Sequence, residues 1–277
     1  MNHYQEKKEA LYQCMEELVK QDLCIAFSGG VDSSLLIKLA KLCADRQQTG
    51  TRIYAVTFDT MLHPACDLEL ARQVAEETGV FHEVLFIDEL EEAGIRYNPE
   101  NRCYLCKKAL FSRLQSFAAQ KGISRILEGS NEDDLHVYRP GIQAVRQLGI
   151  LSPLAQCGFT KEEVRKLAAE LGISVASRPS TPCLATRLPY GAELRQEILE
   201  RIGAAEAYLR EQGFSVVRLR LHGDIGRIEI PKEDFSRLLQ QSGEISGRLK
   251  ELGIPYVTLD LQGFRSGSMD ENLKIKK

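Results

Sequence analysis

With 277 residues, 43% hydrophobic and 27% charged, the chain has the composition of a globular protein long enough for one large domain or two modest ones. A net charge of −3 argues against a polybasic surface for nucleic acid or anionic lipid, and no apolar run approaches the ~20 residues of a membrane-spanning helix. The segment Met1–Glu9 lacks the apolar stretch of a signal peptide, so the expected location is the cytoplasm, where eight cysteines argue for thiols, a metal site or catalysis rather than a disulfide framework.

Leu23–Phe27 is apolar throughout, as in a strand buried on both faces. From Ser33 to Cys43, Leu35, Leu36, Leu39 and Leu42 recur at helical spacing. Strands follow at Ile53–Phe58, Val80–Ile87 and Arg125–Leu127, separated by helices over Pro64–Thr78 and Tyr104–Gln120 that end at Gly79 and Gly122. After Pro140 the pattern predicts a short helix, a strand at Ile150–Leu154, and a helix opened by the capping box Thr160/Glu163. Strand and helix in alternation predict an α/β fold with a doubly wound, mostly parallel sheet.

Periodicity stops after Arg178. Three prolines punctuate the stretch to Gly191, which reads as a loop or linker. Beyond it come a helix (Leu194–Gln212), a strand (Ser215–Leu221), a turn at His222–Ile225, a partner strand (Gly226–Ile230), a helix from Pro231 and a last strand (Tyr256–Leu261). The expected domains are therefore 1–190 and a small α+β domain over 191–277.

Ser28-Gly29-Gly30-Val31-Asp32-Ser33-Ser34 joins the first strand to its helix, at the carboxyl end where doubly wound sheets bind ligands. Adjacent glycines let the backbone approach an anion and turn N–H groups toward it. The helix N-terminus adds partial positive charge, and Ser28, Ser33 and Ser34 add hydroxyl donors. Asp32 would repel a phosphate, so its presence implies a bridging Mg²⁺. The string fits neither a Walker A loop nor a Gly-x-Gly-x-x-Gly turn. It resembles the pyrophosphate (PP) loop of the N-type ATP pyrophosphatases, whose fold is of the adenine nucleotide alpha hydrolase type and which adenylylate an oxygen, release pyrophosphate and let a nucleophile displace AMP. Gly129-Ser130-Asn131-Glu132-Asp133-Asp134, at the end of the fourth strand, is similar to that group's second nucleotide-contact segment. The resemblance implies ATP contacts at Gly129 and Asn131, with Asp133 or Asp134 near the metal.

Three further strings resemble the LarE family of sulfur transferases: Asn101–Lys107 with its Cys103/Cys106 pair, Pro182–Gly191 with Cys183 and Arg187, and Gly263–Met269 with Arg265. The resemblance runs almost end to end. It implies a role in making the nickel-pincer nucleotide of lactate racemase, with pyridinium-3,5-biscarboxylic acid mononucleotide as substrate. ATP would adenylylate its carboxylate, and sulfur would replace oxygen to give a thiocarboxylate. A carboxylate is a poor electrophile, and its ester with AMP carries a good leaving group.

Some members of that family sacrifice the sulfur of one loop cysteine, leaving dehydroalanine. Others hold a [4Fe-4S] cluster on three cysteines, the pattern that Cys103, Cys106 and Cys183 match. Competing readings are a structural zinc, a redox dithiol of Cys103 and Cys106, or thiols without function. Cys14, Cys24, Cys43, Cys66 and Cys157 read as small buried hydrophobes. Arg218 and Arg220 alternate along one strand. Such guanidinium forks suit phosphate oxygens, although a solvated strand face would carry the same pattern. The resemblance implies that Arg218, Arg220 and Arg265 bind the mononucleotide phosphate, that Asp32, Cys183 and Arg187 are catalytic, and that the chain is a homo-oligomer, a hexamer in particular. The nearest rival is a tRNA thiolase, which the acidic balance disfavours; an amidating synthetase and a nucleotide sensor without turnover are more distant.

Overall fold

The computed structural model describes residues 3–137, 139–179, 182–265 and 267–270. They fall into two compact units, one of 1–60, 65–95 and 101–180 and the other of 61–64, 96–100 and 181–277.

The first unit is built on a parallel sheet of four strands: β1 (Leu23–Ala26), β2 (Ile53–Asp59), β3 (Phe81–Phe86) and β4 (Arg125–Leu127), in the order β3-β2-β1-β4. Its helices are α1 (His3–Leu18), α2 (Val31–Gln47), α3 (Ala65–Thr78), α4 (Glu89–Glu92), α5 (Arg102–Gln120), α6 (Glu132–Leu135), α7 (Pro140–Gln147), α8 (Pro153–Gln156) and α9 (Lys161–Glu170). Alternation along a strand sends successive side chains to opposite faces. Leu23, Ile25, Ile53 and Ala55 accordingly join one core with residues of α1, α2, α3 and α9. Cys24, Tyr54, Val56 and Ile126 join another with Phe111, Leu114 and Ala118 of α5 and Val145 just before the end of α7. Both faces of the sheet are covered, as a doubly wound α/β fold requires.

Two features depart from the periodicity. Helix α1 precedes the first expected strand. Ile150–Leu154 forms no strand: it makes a single bridge, Leu151 to Leu127, before Pro153 opens α8. Proline has no N–H for a ladder and suits a helix's first position. The capping box at Thr160 forms as expected, its hydroxyl accepting from the Glu163 N–H while Glu163 accepts from the Thr160 N–H at 2.9 Å.

The second unit contains α10 (Gln196–Glu211), β5 (Arg218–His222), β6 (Ile225–Glu229), α11 (Phe235–Gln240), α12 (Ser242–Glu251) and β7 (Tyr256–Leu259). Strands β5 and β6 are antiparallel, and β7 runs parallel to β6. The helix expected from Pro231 is a 3-10 turn (Lys232–Asp234) followed by α11 and α12. From 181 onward the Pro-rich loop, expected to end the first domain, belongs to this second unit. It contains a 3-10 turn, Leu184–Arg187, that packs on α10 and β5.

Candidate active site

In the first unit, Gly30 is the N-cap residue of α2 and supplies no side-chain cap, which leaves first-turn N–H groups of a 17-residue helix for an anion. Gly29 has φ +69°, and a Cβ there would stand 3.1 Å from the Ala71 backbone, so the turn requires glycine. Ser33 Oγ donates to the Gly30 carbonyl at 3.1 Å and accepts from the Ser28 N–H at 3.3 Å, fixing the loop on itself. Ser34 is fully buried, and its hydroxyl has no hydrogen-bond partner among the described residues.

Asp32 anchors a charged constellation. Asn131 Nδ2 donates to its Oδ1 at 3.0 Å, and Lys161 Nζ pairs with its Oδ2. Lys161 also donates its backbone N–H to Asp133 Oδ2 at 2.8 Å. Asn131 and Asp134 cap α6 reciprocally, and Arg139 Nη1 lies 2.9 Å from Asp134 Oδ1. Burial lifts the Asp134 carboxyl above its ordinary range, against the pull of Arg139. Gly129 lies so close to the loop that an added Cβ would meet Ser33 N at 3.0 Å and Asp32 Cβ at 3.1 Å. The segment expected to form the second wall of a nucleotide cleft thus packs directly on the first. A magnesium ion is commonly held by one or two carboxylates plus phosphate oxygens, and Asp32 supplies a carboxylate of that kind beside the loop. Among the described residues no group of three His, Cys, Asp or Glu side chains is placed to hold a metal by itself.

Behind this wall lies Glu128, buried, accepting from the Ser130 N–H at 3.0 Å and the Ser130 hydroxyl at 2.9 Å, with Lys107 Nζ 3.5 Å away. Lys107 follows Cys106 on α5. Its stem passes Gly141 of α7, where a Cβ would lie 2.9 Å from Lys107 Cγ. Cys103 and Cys106 sit three apart in the first two turns of α5 and so share a face. Cys103 is exposed and Cys106 half-buried, neither in a disulfide.

In the second unit Cys183, half-buried, opens the 3-10 turn. Its carbonyl accepts from Thr186 Oγ1 at 2.8 Å and Arg187 Nη1 at 3.4 Å. Arg187 is fully buried and forms a fork with Glu206: Nε to Oε1 at 2.6 Å, Nη2 to Oε2 at 3.0 Å. Glu206 also accepts from the Leu219 N–H at 2.9 Å and Arg210 Nη2 at 2.9 Å. Asn98, buried, donates to the carbonyls of Ala185, Leu188 and Pro189, holding the other side of the loop.

The three expected phosphate arginines differ in what they do. Arg220 is nearly buried, with Nε on Glu229 Oε1 at 2.7 Å, Nη2 on Ser268 Oγ at 2.8 Å and Nη1 on the Thr186 carbonyl. Its guanidinium is committed to the protein. Arg218 makes no ion pair among the described residues; it lies 5.3 Å from the Phe264 ring centroid and donates to the Val217 carbonyl at 2.7 Å. Burial, with Arg187 next in effect, lowers its pKa to about 10, the mark of a cation short of counter-charge. Arg265 lies on the loop after β7, 3.8 Å from Asp260 Oδ1. Lys161, Glu128, Glu206, Glu229 and Asn98 are absent from the sequence reading. Only Lys161 had a nearby signal, as the first residue after the Thr160 cap.

The PP-loop domain model matches residues 3–138. A protein of Synechocystis sp. described as uncharacterized is 39% identical over 96% of this chain and 98% of its own length. The pyridinium-3,5-bisthiocarboxylic acid mononucleotide synthase of Lactiplantibacillus plantarum is 36% identical over 96% of this chain and 95% of its own. The tRNA-specific 2-thiouridylase MnmA of Zymomonas mobilis is 28% identical, but over 57% of this chain and 51% of that protein. The likeness to the synthase spans both units, whereas the likeness to the thiouridylase takes in little more than half of the chain. The chain belongs to the LarE family of PP-loop, ATP-using sulfur transferases.

Proposed function

We propose that this protein adenylylates a carboxylate of pyridinium-3,5-biscarboxylic acid mononucleotide and replaces oxygen with sulfur, giving the thiocarboxylate, AMP and pyrophosphate. The observation that carries this reading is the Cys183 loop, clamped by Arg187 on Glu206, in the same unit as a half-buried Arg218 that has no carboxylate partner among the described residues. Such a unit joins a held thiol to an unneutralised cation, which is what delivery of sulfur to an anionic mononucleotide needs.

In this mechanism Ser28, Gly29, Gly30, Ser33 and Ser34 cradle the leaving pyrophosphate with the α2 N-terminus, the Ser34 hydroxyl having no other partner among the described residues. Asp32, with Asn131, Gly129 and Asp133, orients nucleotide and Mg²⁺; Lys161 neutralises Asp32 and then the phosphates. Arg218 and Arg265 take the substrate phosphate. Arg220 and Arg187 act differently: their donors are spent on Glu229, Glu206, Thr186 and the loop carbonyls. They fix the Cys183 loop and are positioning residues.

The sulfur carrier in this reading is a [4Fe-4S] cluster on Cys103, Cys106 and Cys183. Two cysteines on one helix face present the soft thiolate donors such a cluster takes. When bound, the cluster would supply an open iron for the sulfur to be delivered. Cys183→Ser is expected to retain substrate-dependent pyrophosphate release and lose thiocarboxylate formation, measured by a coupled phosphate assay and mass spectrometry. Anaerobic protein should hold roughly four irons per chain, lost in Cys103→Ala together with repeated turnover. One product per chain, with dehydroalanine at 183, would assign the sulfur to Cys183 itself. Salt-sensitive retention on tRNA without turnover of the pyridinium substrate would overturn the small-molecule reading.

Gly129→Ala tests the nucleotide wall. The new methyl meets backbone of the Asp32–Ser33 turn, and overpacking of this kind costs about 1–3 kcal/mol. A rise of roughly tenfold in KM for ATP is expected, read from initial rates at saturating second substrate.

A further inference from the structure

Cys14 and Cys157 were expected to be buried, inert hydrophobes, like Cys24 and Cys43. The structure separates the two pairs. Cys24 and Cys43 are sealed in the core, and burial pushes their thiols up to about 12 and about 11. Cys14, on α1, and Cys157, which closes α8, are half-buried against one core cluster, and helices α1 and α8 pack together. Their thiols are hydrogen-bonded to each other.

That contact makes the pair unequal. The hydrogen bond from Cys157 lowers the Cys14 thiol to about 7, with burial working the other way. Cys157, whose hydrogen is held by Cys14, is pushed up, and burial adds to the effect. A thiolate at neutral pH beside a protonated partner is the arrangement of an attacking and a resolving cysteine. The surroundings give the contact a consequence. The Ala155 N–H donates to the Ser130 carbonyl at 3.1 Å, and the Glu132 N–H to the Phe159 carbonyl at 2.7 Å. The turn that ends in Cys157 therefore supports the Gly129–Asn131 wall.

We propose that Cys14 and Cys157 are a modification site, forming a reversible disulfide by exchange with a low-molecular-weight disulfide of the glutathione class. The Cys14 thiolate attacks one sulfur of the small disulfide, whose S–S bond breaks and releases one small thiolate. Cys157 then gives up its proton and attacks Cys14 Sγ. The mixed disulfide breaks, the internal S–S bond forms, and the second small thiol leaves. Two protein thiols are oxidised, one small disulfide is reduced to two thiols, and the protons leave with them. The bond fastens α1 to the turn behind the nucleotide wall. None of this depends on the sulfur-transfer reaction proposed above.

The test uses the reduced full chain, exposed to excess glutathione disulfide at neutral pH, blocked with iodoacetamide, and mapped by non-reducing mass spectrometry. The expected result is the Cys14 and Cys157 peptides joined, and separated again by reductant. In Cys157→Ser, glutathione should accumulate on Cys14 without resolving. In Cys157→Ala, where the thiolate loses its hydrogen-bond donor, iodoacetamide should also alkylate Cys14 roughly tenfold more slowly. Recovery of Cys14 and Cys157 in the wild-type map as separately blocked thiols, or of Cys14 joined elsewhere, would overturn the proposal. The wild-type map decides it even where a variant folds poorly.

Discussion

Glu206→Leu is expected to destabilise the second unit by about 3–5 kcal/mol, the cost of removing one partner from a buried ion pair. Glu206 is 1% exposed, and its carboxylate is shared by the Arg187 fork, Arg210 and the Leu219 N–H. Without it Arg187, itself fully buried, keeps a charge that has neither solvent nor counter-ion. The Leu219 amide reports the loss directly, because its proton is bonded to Glu206 Oε1. Its hydrogen exchange should accelerate by roughly 10²–10³-fold, given that each ~1.4 kcal/mol is a factor of ten. Adding Arg187→Met should restore part of the stability, since the pair as a whole contributes far less than either half left alone. An acceleration below about threefold in Glu206→Leu would show that the fork is not what holds the unit together. The chemistry should respond separately: the double variant, refolded but without its grip on the Cys183 carbonyl, should still release pyrophosphate while transferring sulfur poorly.

The second large effect belongs to Asp32. Asp32→Asn keeps the size of the side chain and removes the charge that Lys161 pairs with. Pyrophosphate release should slow roughly 10²–10³-fold, the usual effect of losing a group that organises charge in a transition state. The fall should lie in kcat rather than in thermal stability, because Asp32 is partly solvent-exposed and an ion pair there contributes about 1 kcal/mol or less. Lys161→Met should weaken ATP binding too, since it leaves Asp32 to repel the phosphates. Release within about threefold of wild type in Asp32→Asn would remove Asp32 from the catalytic set.

Much of this protein is local in origin. Apolar runs bounded by Gly29–Gly30, Gly79 and Gly122 give the strands and helices of the first unit, and the Thr160/Glu163 box gives α9, because each of these signals acts over a few residues. The glycine pair of the phosphate loop is of the same kind: positive φ at Gly29 is a property of one residue in one turn. The Ile150–Leu154 strand failed for a local reason that its apolar residues obscured, namely Pro153 at the point where a ladder would need an N–H.

Contacts between residues far apart in the chain were decided only by the fold. Lys161 reads as one more solvated lysine on an amphipathic helix until α9 sets it on Asp32, 129 positions away. Arg220 reads like Arg218, two residues along the same strand, and the two part company because Glu229 on the neighbouring strand meets one guanidinium and not the other. Cys14 and Cys157 read as two unrelated small hydrophobes until α1 and α8 bring their thiols together. The loop Ser28–Ser34 and the three motif cysteines are thus the sequence's own statement of chemistry. Which basic groups stay available to a ligand, and which are consumed in holding the Cys183 loop, was settled by tertiary packing, because a charge's role depends on the counter-charges that the folded chain places beside it.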